Sequence, residues 1–536
     1  MSLPRLARTV RWLKPVQIYG RILHHAPRPG PHWTPPPALR RPRAVWREAL
    51  LRPSPLRGPA RVCHLNHEVE IDAPGAWNDP AQSRLWLYNL HYFDGFSPQD
   101  QGEHDLRLAT LIERWVDENP PGQGVGWEPY PTSLRIVNWI KRHLAGGSLS
   151  PAVLASLAHQ VRWLAGRLEW RLLGNHLLAN AKALMFAGLF FEGAEAERWR
   201  TRGLGILRAQ LAEQILADGG HFERSPMYHA LVLEDLLDLL NLARTYATPE
   251  EEWVRLIGPM LAWQANLTHP DGRIAFFNDA AFGVAGDLDA LEDYALRLGL
   301  APATRPGSGV WMGASGYGRL ATDEAVVLLD AAPIGPDHLP GHAHADTLSF
   351  EWSLGPDRVV VNGGTSLYGE GADRARERAT ASHSTVEIDG LDSSELWSGF
   401  RAGRRARVQG VEVARDEAGL RASAAHDGYA WRPGRPRHRR DWRLSSGRLD
   451  VTDRIDGRVD KAEARFHLAP ACRATLHDGG RSGSITTPSG RIITWSTSAP
   501  ARLEHSEWRP EFGLRQPSTQ LVVQFDTPRL HTQFDW

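Results

Sequence analysis

The stretch at residues 153–191 reads VLASLAHQVRWLAGRLEWRLLGNHLLANAKALMFAGLFF and decides the fold class of the first half of the chain. Its apolar residues recur at spacings of three and four, which is typical of helices, and a Gly-containing segment interrupts the pattern. Further segments with this period occur between residues 80 and 300, at 90–96, 133–144, 203–217 and 230–246. The sequence therefore predicts an all-helical domain of many short helices.

The pattern changes after about residue 310, where short stretches rich in Val, Ile, Thr and aromatic residues lie between Gly, Asp and Pro. These stretches occur at residues 325–333, 347–354, 357–364, 384–390, 448–456, 490–498 and 519–527. Short strands bounded in this way are typical of antiparallel sheet sandwiches. We expect three regions: a basic Pro- and Arg-rich lead-in at 1–60, a helical domain at 61–305 and a β-sandwich at 306–536.

The composition excludes several classes of protein. The 536 residues include 62 basic and 62 acidic ones, which points to no nucleic-acid partner, and two cysteines exclude a disulfide framework. No apolar run has the roughly 18 residues of a membrane span, and no secretory signal is recognised, so we expect a cytoplasmic location, with the periplasm as the alternative. Leu6, Val10 and Leu13 follow helical spacing between arginines, which leaves weak docking on an anionic membrane surface as an alternative.

Two polar segments stand out in the helical half. Asn175 and His176 open a strongly apolar helical segment, where an Asn either caps the helix or serves a site. Residues 218–229 read DGGHFERSPMYH, in which Ser225 followed by proline predicts a helix start. This places Tyr228 in the first turn, where the helix dipole would modestly favour a phenolate and hence proton exchange. The alternative is a Tyr that packs under a loop.

Two further polar segments precede strands in the second half. The segment HAHAD supplies His342, His344 and Asp346, which would share one face because side chains alternate along an extended chain. Such a cluster fits metal binding or catalysis better than a structural role. The segment SHSTV supplies His383, and several arginines nearby, Arg378 among them, would attract an acidic polymer or form a solvated face.

In this order, the Asn-His pair, DGGHFERSPMYH, HAHAD and SHSTV resemble the motifs of the heparinase II/III-like polysaccharide lyases, over roughly residues 80–400. The resemblance implies an incomplete α/α toroid followed by an antiparallel β-sandwich, and cleavage of an acidic, uronic-acid-containing polysaccharide in the cleft between the two domains. The stretches LYNLHYFD at 87–94 and WEPYPTSLR at 127–135 also resemble the branch associated with bacterial capsule and exopolysaccharide production.

The resemblance implies roles for individual residues. Asn175 matches the residue that neutralises the substrate carboxylate, with His176 beside it, and Tyr228 and His342 match the two catalytic positions. We expect substrate binding from four charged or polar residues within or near the motifs: Glu223, Arg224, His229 and Arg378.

The same resemblance raises the question of a structural zinc, which some members of the family contain. His344 and His383 match two of its ligands. The family usually has an Asp at the remaining position, where this chain has Asn362. A neutral amide is a poorer zinc ligand than a carboxylate, so a structural zinc held by these three residues and a site without zinc are both open alternatives.

The chemistry explains why these residue types are needed. The C5 proton of a uronate is hardly acidic while the neighbouring carboxylate is charged, so Asn175, with His176 or an Arg, would neutralise that carboxylate and stabilise the enolate-like transition state. A base then removes the C5 proton and an acid protonates the departing O4. We predict Tyr228 as the acid and either Tyr228 or His342 as the base.

Two other functions compete with elimination. A glycoside hydrolase would use a pair of carboxylates, for which the loops offer Glu128, Asp218, Glu223 and Asp279. A non-catalytic glycan-binding or assembly protein would keep the cleft without turnover, and the 21 Trp residues would suit sugar stacking. The joint presence of Asn175, Tyr228 and His342 argues against this last alternative.

Overall fold

The computed structural model describes residues 3–28, 30, 33–95 and 103–536. Its helices are α1 (Leu3–Val10), α2 (Pro15–His24), α3 (Arg84–Tyr92), α4 (Glu103–Glu118), α5 (Pro129–Leu144), α6 (Pro151–Ala165), α7 (Gly174–Phe190), α8 (Ala194–Gln214), α9 (Pro226–Thr245), α10 (Glu251–Asn266), α11 (Leu288–Arg297) and α12 (Ala372–Arg378). Most of them form one helical domain around a shared apolar core.

Helix α7 is the centre of that domain, and it packs against α5, α6, α8 and α9. Fifteen of its seventeen residues are buried; Asn175 and His176 are the two that are not. A helix that is apolar on all sides is stable only in an interior. The two polar residues therefore lie at the end of the helix that the core does not enclose.

The second half of the chain is built from strands, which are preceded by one hairpin in the helical half. The strands are β1 (Arg61–His64), β2 (His67–Glu70), β3 (Gly309–Met312), β4 (Tyr317–Ala321), β5 (Ala325–Asp330), β6 (Phe350–Leu354), β7 (Asp357–Val361), β8 (Val386–Ile388), β9 (Leu396–Trp397), β10 (Arg401–Ala402), β11 (Val408–Asp416), β12 (Gly419–His426), β13 (Arg437–Ser445), β14 (Arg448–Asp456), β15 (Ala462–Leu468), β16 (Arg473–His477), β17 (Ser482–Thr486), β18 (Ile492–Thr497), β19 (Ala501–Trp508), β20 (Gln516–Phe525) and β21 (Arg529–Asp535).

Two large antiparallel sheets form the sandwich. One has the strand order β19-β20-β15-β7-β6-β5-β4-β3, with β8 also paired to β15, and the other has the order β11-β12-β13-β14-β21-β18-β17-β16. Their inner faces share one apolar core. In it the ring centroids of Trp352 and Phe466, from the first sheet, lie 5.4 and 5.6 Å from the ring centroid of Phe534 in the second. The prediction of helices first and an antiparallel sandwich second is confirmed.

The chain passes between the domains after α11 ends at Arg297 and before β3 begins at Gly309. The predicted lead-in contains the helices α1 and α2, and Leu6 and Val10 belong to α1 as their spacing predicts. In the part of the chain that the structure describes, no helix is both long enough and apolar enough to span a membrane.

Candidate active site

The start of α7 is shaped by an unusual backbone. Leu173 and Gly174 have φ angles of +63° and +54°, which lie in the left-handed region. A Cβ on Gly174 would lie 2.4 Å from Leu339 and 3.0 Å from a carboxylate oxygen of Glu223, so glycine is needed both for its φ and for space. Leu173 occupies the cap position, and the Asn175 side chain acts on the Tyr130 hydroxyl, whose pKa it lowers against the larger effect of burial.

His176 belongs to the same wall of the cleft. Its Nδ1 lies 3.1 Å from Oε1 of Glu169, and its ring centroid is 4.4 Å from that of Tyr130. The Asn180 amide also donates to Glu169. Burial alone would raise the pKa of Glu169, but the neighbouring His176 and these hydrogen bonds lower it overall. The negative charge of Glu169 therefore fixes the orientation of the His176 ring.

Tyr228 lies in the first turn of α9, as predicted, because the Ser225 hydroxyl accepts from its backbone N–H. Its hydroxyl is 2.9 Å from that of Tyr368, a residue of the sheet domain. Burial and the charges and hydroxyl nearby raise the pKa of Tyr228 well above its usual value. In this structure the phenol form is favoured, because desolvation outweighs the modest effect of the helix dipole on a phenolate.

His342 stacks on Tyr228, with ring centroids 3.8 Å apart and planes 12° from parallel. Its Nδ1 is hydrogen-bonded to Glu223, which is itself 2% exposed. Burial alone would raise the pKa of Glu223, but the neighbouring His342 lowers it overall. Glu223 therefore acts on His342 and fixes the tautomer and orientation of its ring, which differs from the substrate-binding role that we expected.

The other residues of HAHAD serve a buried network and do not share a face with His342. The His344 ring bonds to Asp279 at 2.8 Å and to His383 at 3.0 Å, and Arg374 donates to both oxygens of Asp279. Burial alone would raise the pKa of Asp279, but the ion pair with Arg374 and the His344 hydrogen bond hold it far below its usual value. Because the Asp279 N–H donates to the His342 carbonyl, this network supports the segment that presents His342.

The predicted zinc ligands offer two converging ring nitrogens, from His344 and His383, that are hydrogen-bonded to each other. The Asn362 oxygen accepts the Ser384 backbone N–H, and its amide donates to Ser349. Within the described residues no group of three or more His, Cys, Asp or Glu is arranged to hold a metal. The residues present do not fit a complete zinc shell, because tetrahedral structural sites use four such ligands.

Three residues that we expected to bind substrate have structural partners. His229 is fully buried, and its two ring nitrogens bond to the backbone of His221 and Met260. The Arg378 guanidinium donates to three backbone carbonyls and holds the loop on both sides of His342. Arg224 donates to the carbonyls of Ser315 and Phe222. Both ring nitrogens of His229 are engaged, and the Arg378 side chain is 1% exposed, so these contacts hold both side chains in the interior.

The remaining carboxylates of the hydrolase alternative are also engaged. Glu128 accepts from Tyr88 and Arg84, and Asp218 accepts from Ser315 and the Gly220 backbone. With Asp279 in an ion pair and Glu223 bonded to His342, each of the four carboxylates already has a partner within the protein.

Two family models match this chain: the heparinase II/III N-terminus over residues 101–291, and the heparinase II/III-like C-terminal domain over residues 304–536. The chain belongs to the heparinase II/III-like family. The crystal structure of a heparinase III superimposes with a TM-score of 0.69 at 17% identity, covering 85% of this chain and 78% of that one. This likeness supports the toroid and β-sandwich fold.

Curated relatives of the chain carry two kinds of name. The heparin-sulfate lyase of Pedobacter heparinus is 26% identical over 51% of this chain and 46% of that protein. The FtsZ-localized protein C of Caulobacter vibrioides is 29% identical over 85% of this chain and 82% of that protein. The chain spans less than half the length of the heparin-sulfate lyases that it matches.

Sequence reasoning missed three residues that shape the site in this heparinase II/III-like chain. Tyr368 bonds to Tyr228, Glu169 bonds to His176, and the Tyr130 ring contacts that of His176. Tyr368 lies in a loop with neither helical nor strand period, so no local pattern indicates it. Tyr130 lies in the motif WEPYPTSLR, where the prolines predict a helix start and so place Tyr130 in a first turn, as for Tyr228.

Proposed function

We propose that the chain is a polysaccharide lyase that cleaves an acidic, uronic-acid-containing polysaccharide by β-elimination. The observation that carries this proposal is the stack of His342 on Tyr228. It joins a base candidate from the sheet domain to an acid candidate from the helical domain, beside Asn175. Elimination needs a base and an acid within reach of one sugar ring, together with a group that neutralises its carboxylate.

The carboxylate is assigned to the start of α7. There the Asn175 amide and the N-terminal end of the helix dipole favour a negative charge, and His176 lies beside it with 29% of its side chain exposed. Donors that are fixed before the reaction stabilise the enolate-like charge as it develops. Tyr130 and Glu169 act as positioning residues, because they orient Asn175 and His176.

The proton transfers are assigned to the stacked pair. With Glu223 on Nδ1, the Nε2 of His342 is free to take the C5 proton of the uronate. The electrons of the C5–H bond form the C4=C5 double bond, the C4–O4 bond breaks, and the Tyr228 hydroxyl donates its proton to O4. A raised pKa keeps Tyr228 in the protonated form that this step requires.

The proposed substrate can also be assigned to a source. We assign it to bacterial capsule or exopolysaccharide material because the motifs LYNLHYFD and WEPYPTSLR resemble that branch. These motifs form α3 and the start of α5, where the Tyr92 ring packs edge to face with those of Tyr88 and Tyr130, at centroid distances of 6.2 and 5.8 Å. Tyr92 is buried, and the half-buried Tyr88 and Tyr130 would suit contact with sugar rings. The cytoplasmic location stays a prediction, which fractionation of the producing cells would check.

The test is incubation with a panel of uronate polysaccharides that includes the capsule or exopolysaccharide of the producing organism. Elimination yields an unsaturated sugar that absorbs ultraviolet light, and the product masses show no added water. Products without this absorbance and with one added water per cleavage would show hydrolysis and refute the proposal.

A further inference from the structure

A cavity of about 310 Å³ lies between helix α2 and the segment that precedes α7. Tyr19, Gly20 and Leu23 of α2 contribute one wall, and Leu168–Arg171 contribute the other. The volume is at the lower end of the roughly 300–1,000 Å³ that small-molecule sites have, and it suits a single sugar unit.

The α2 wall is fixed to both domains. Gln17 donates to the His338 carbonyl of the sheet domain, next to the loop residue Leu339 that touches Gly174. Gly20 packs so closely on the Arg171 backbone that a Cβ would lie 3.2 Å from it. The residues that the two family models match begin after α2. This wall is therefore a feature of this chain beyond the matched regions.

The lining combines exposed aromatic rings with positive charge. Tyr19 is 51% exposed and Trp170 is 38% exposed, and both line the cavity. Arg28 and Arg167 donate to backbone carbonyls. Among the described residues Arg171 donates no hydrogen bond, and its positive charge helps to lower the pKa of Glu169. Exposed aromatics suit sugar faces, and a guanidinium with free N–H donors suits a carboxylate or sulfate.

The cavity adjoins the candidate active site through shared residues. Glu169, the one acidic residue of the lining, is bonded to His176, so its charge is already engaged. Pro129 of the lining directly precedes Tyr130, whose ring contacts His176. A polymer with one unit at His176 can therefore place a neighbouring unit in the cavity.

We propose that this cavity is a subsite for an acidic sugar unit next to the unit that is cleaved, with Arg171 pairing with its carboxylate or sulfate. Tyr19 and Trp170 supply the stacking surface. The inference rests on the proposed function, since the ligand is a part of the same polymer. It predicts that the chain selects for acidic groups at two positions of its substrate.

The experiment measures binding of fluorescent hexasaccharides from heparan sulfate, hyaluronan and alginate to the full chain and to two variants. Arg171→Gln removes the cavity charge. Arg473→Gln, at the exposed start of the edge strand β16, makes the same change elsewhere. Arg171→Gln should weaken the tightest hexasaccharide roughly tenfold or more, because a charge-assisted hydrogen bond is lost. Arg473→Gln should leave the affinity unchanged.

A carboxyl-reduced, desulfated form of the same hexasaccharide should bind the protein and Arg171→Gln equally. Equal affinity of the unchanged protein and Arg171→Gln for the acidic hexasaccharide would overturn the subsite. Failure of all three hexasaccharides to bind the unchanged protein would also overturn it. The ultraviolet product assay is read separately. Elimination with an unchanged Arg171→Gln affinity refutes the subsite alone, and a weakened affinity without elimination refutes the lyase alone.

Discussion

His342 and His344 lie two residues apart in one segment, and their surroundings are opposite. The His342 side chain is 15% exposed and has one carboxylate partner, whereas His344 has no exposed surface and both of its nitrogens are bonded. Each pairs with a carboxylate from the helical domain, Glu223 or Asp279. The two histidines therefore differ in their access to a substrate. One ring nitrogen of His342 remains available, whereas both ring nitrogens of His344 are hydrogen-bonded within the fold.

The two histidines of this short motif have different roles. The buried network around Asp279 supports the segment and bonds to the His342 backbone, while Glu223 orients the His342 ring, which remains accessible. Loss of the Asp279 network should mainly lower the free energy of unfolding, and loss of the Glu223–His342 pair should mainly lower the rate of turnover. Substitutions on the two sides can therefore separate the two roles.

The largest effect is expected for His342→Gln. Glutamine keeps a polar group of similar length beside Glu223 but cannot accept the C5 proton, so turnover should fall roughly a hundredfold to ten-thousandfold. Thermal unfolding should stay close to that of the unchanged protein, since the ring is partly exposed. Steady-state rates and a melting curve check this. Turnover within a few-fold of the unchanged protein would remove His342 from the reaction.

Asp279→Asn tests the buried network around His344. The substitution leaves the Arg374 charge unpaired in the interior, and breaking such a pair costs about 3–5 kcal/mol of unfolding free energy at neutral pH. Because the folded pKa of Asp279 is depressed, its stabilisation is complete above the unfolded pKa of about 3.9 and is lost as pH falls below it. Denaturant unfolding should therefore show that the difference in unfolding free energy between the unchanged protein and Asp279→Asn becomes smaller in acid. A difference that is constant with pH would contradict the ion-pair account.

The smallest effect is expected for Tyr368→Phe, which removes the hydroxyl that bonds to Tyr228. One hydrogen bond contributes about 1 kcal/mol, so turnover should fall roughly fivefold while the fold is retained. A loss as large as that of His342→Gln would show that Tyr368 itself transfers a proton, and the acid would have to be reassigned. Steady-state turnover of the variant on the cleaved polymer decides between these outcomes.

The sequence predicted the order of the elements well, because helical and strand periods are local properties. It also placed Tyr228 in its helix turn, because Ser225 followed by proline is a local signal. Pairings across the domains were not predictable: Glu223 and His342 are 119 residues apart, and nothing near either residue indicates the other. The buried positions of His229 and Arg378 were not predictable for the same reason, since whether a polar side chain faces solvent or the interior depends on packing.

The central claim, that Tyr228 is the acid of an elimination, is tested most directly by Tyr228→Phe. Tyr246, at the other end of α9, is the matched control, because its buried hydroxyl has no hydrogen-bond partner among the described residues. Turnover is measured as ultraviolet absorbance of the unsaturated product on the cleaved polymer. The account predicts a roughly hundredfold to ten-thousandfold loss for Tyr228→Phe, with binding and melting nearly unchanged, and a normal rate for Tyr246→Phe. A folded Tyr228→Phe protein with full turnover would contradict it.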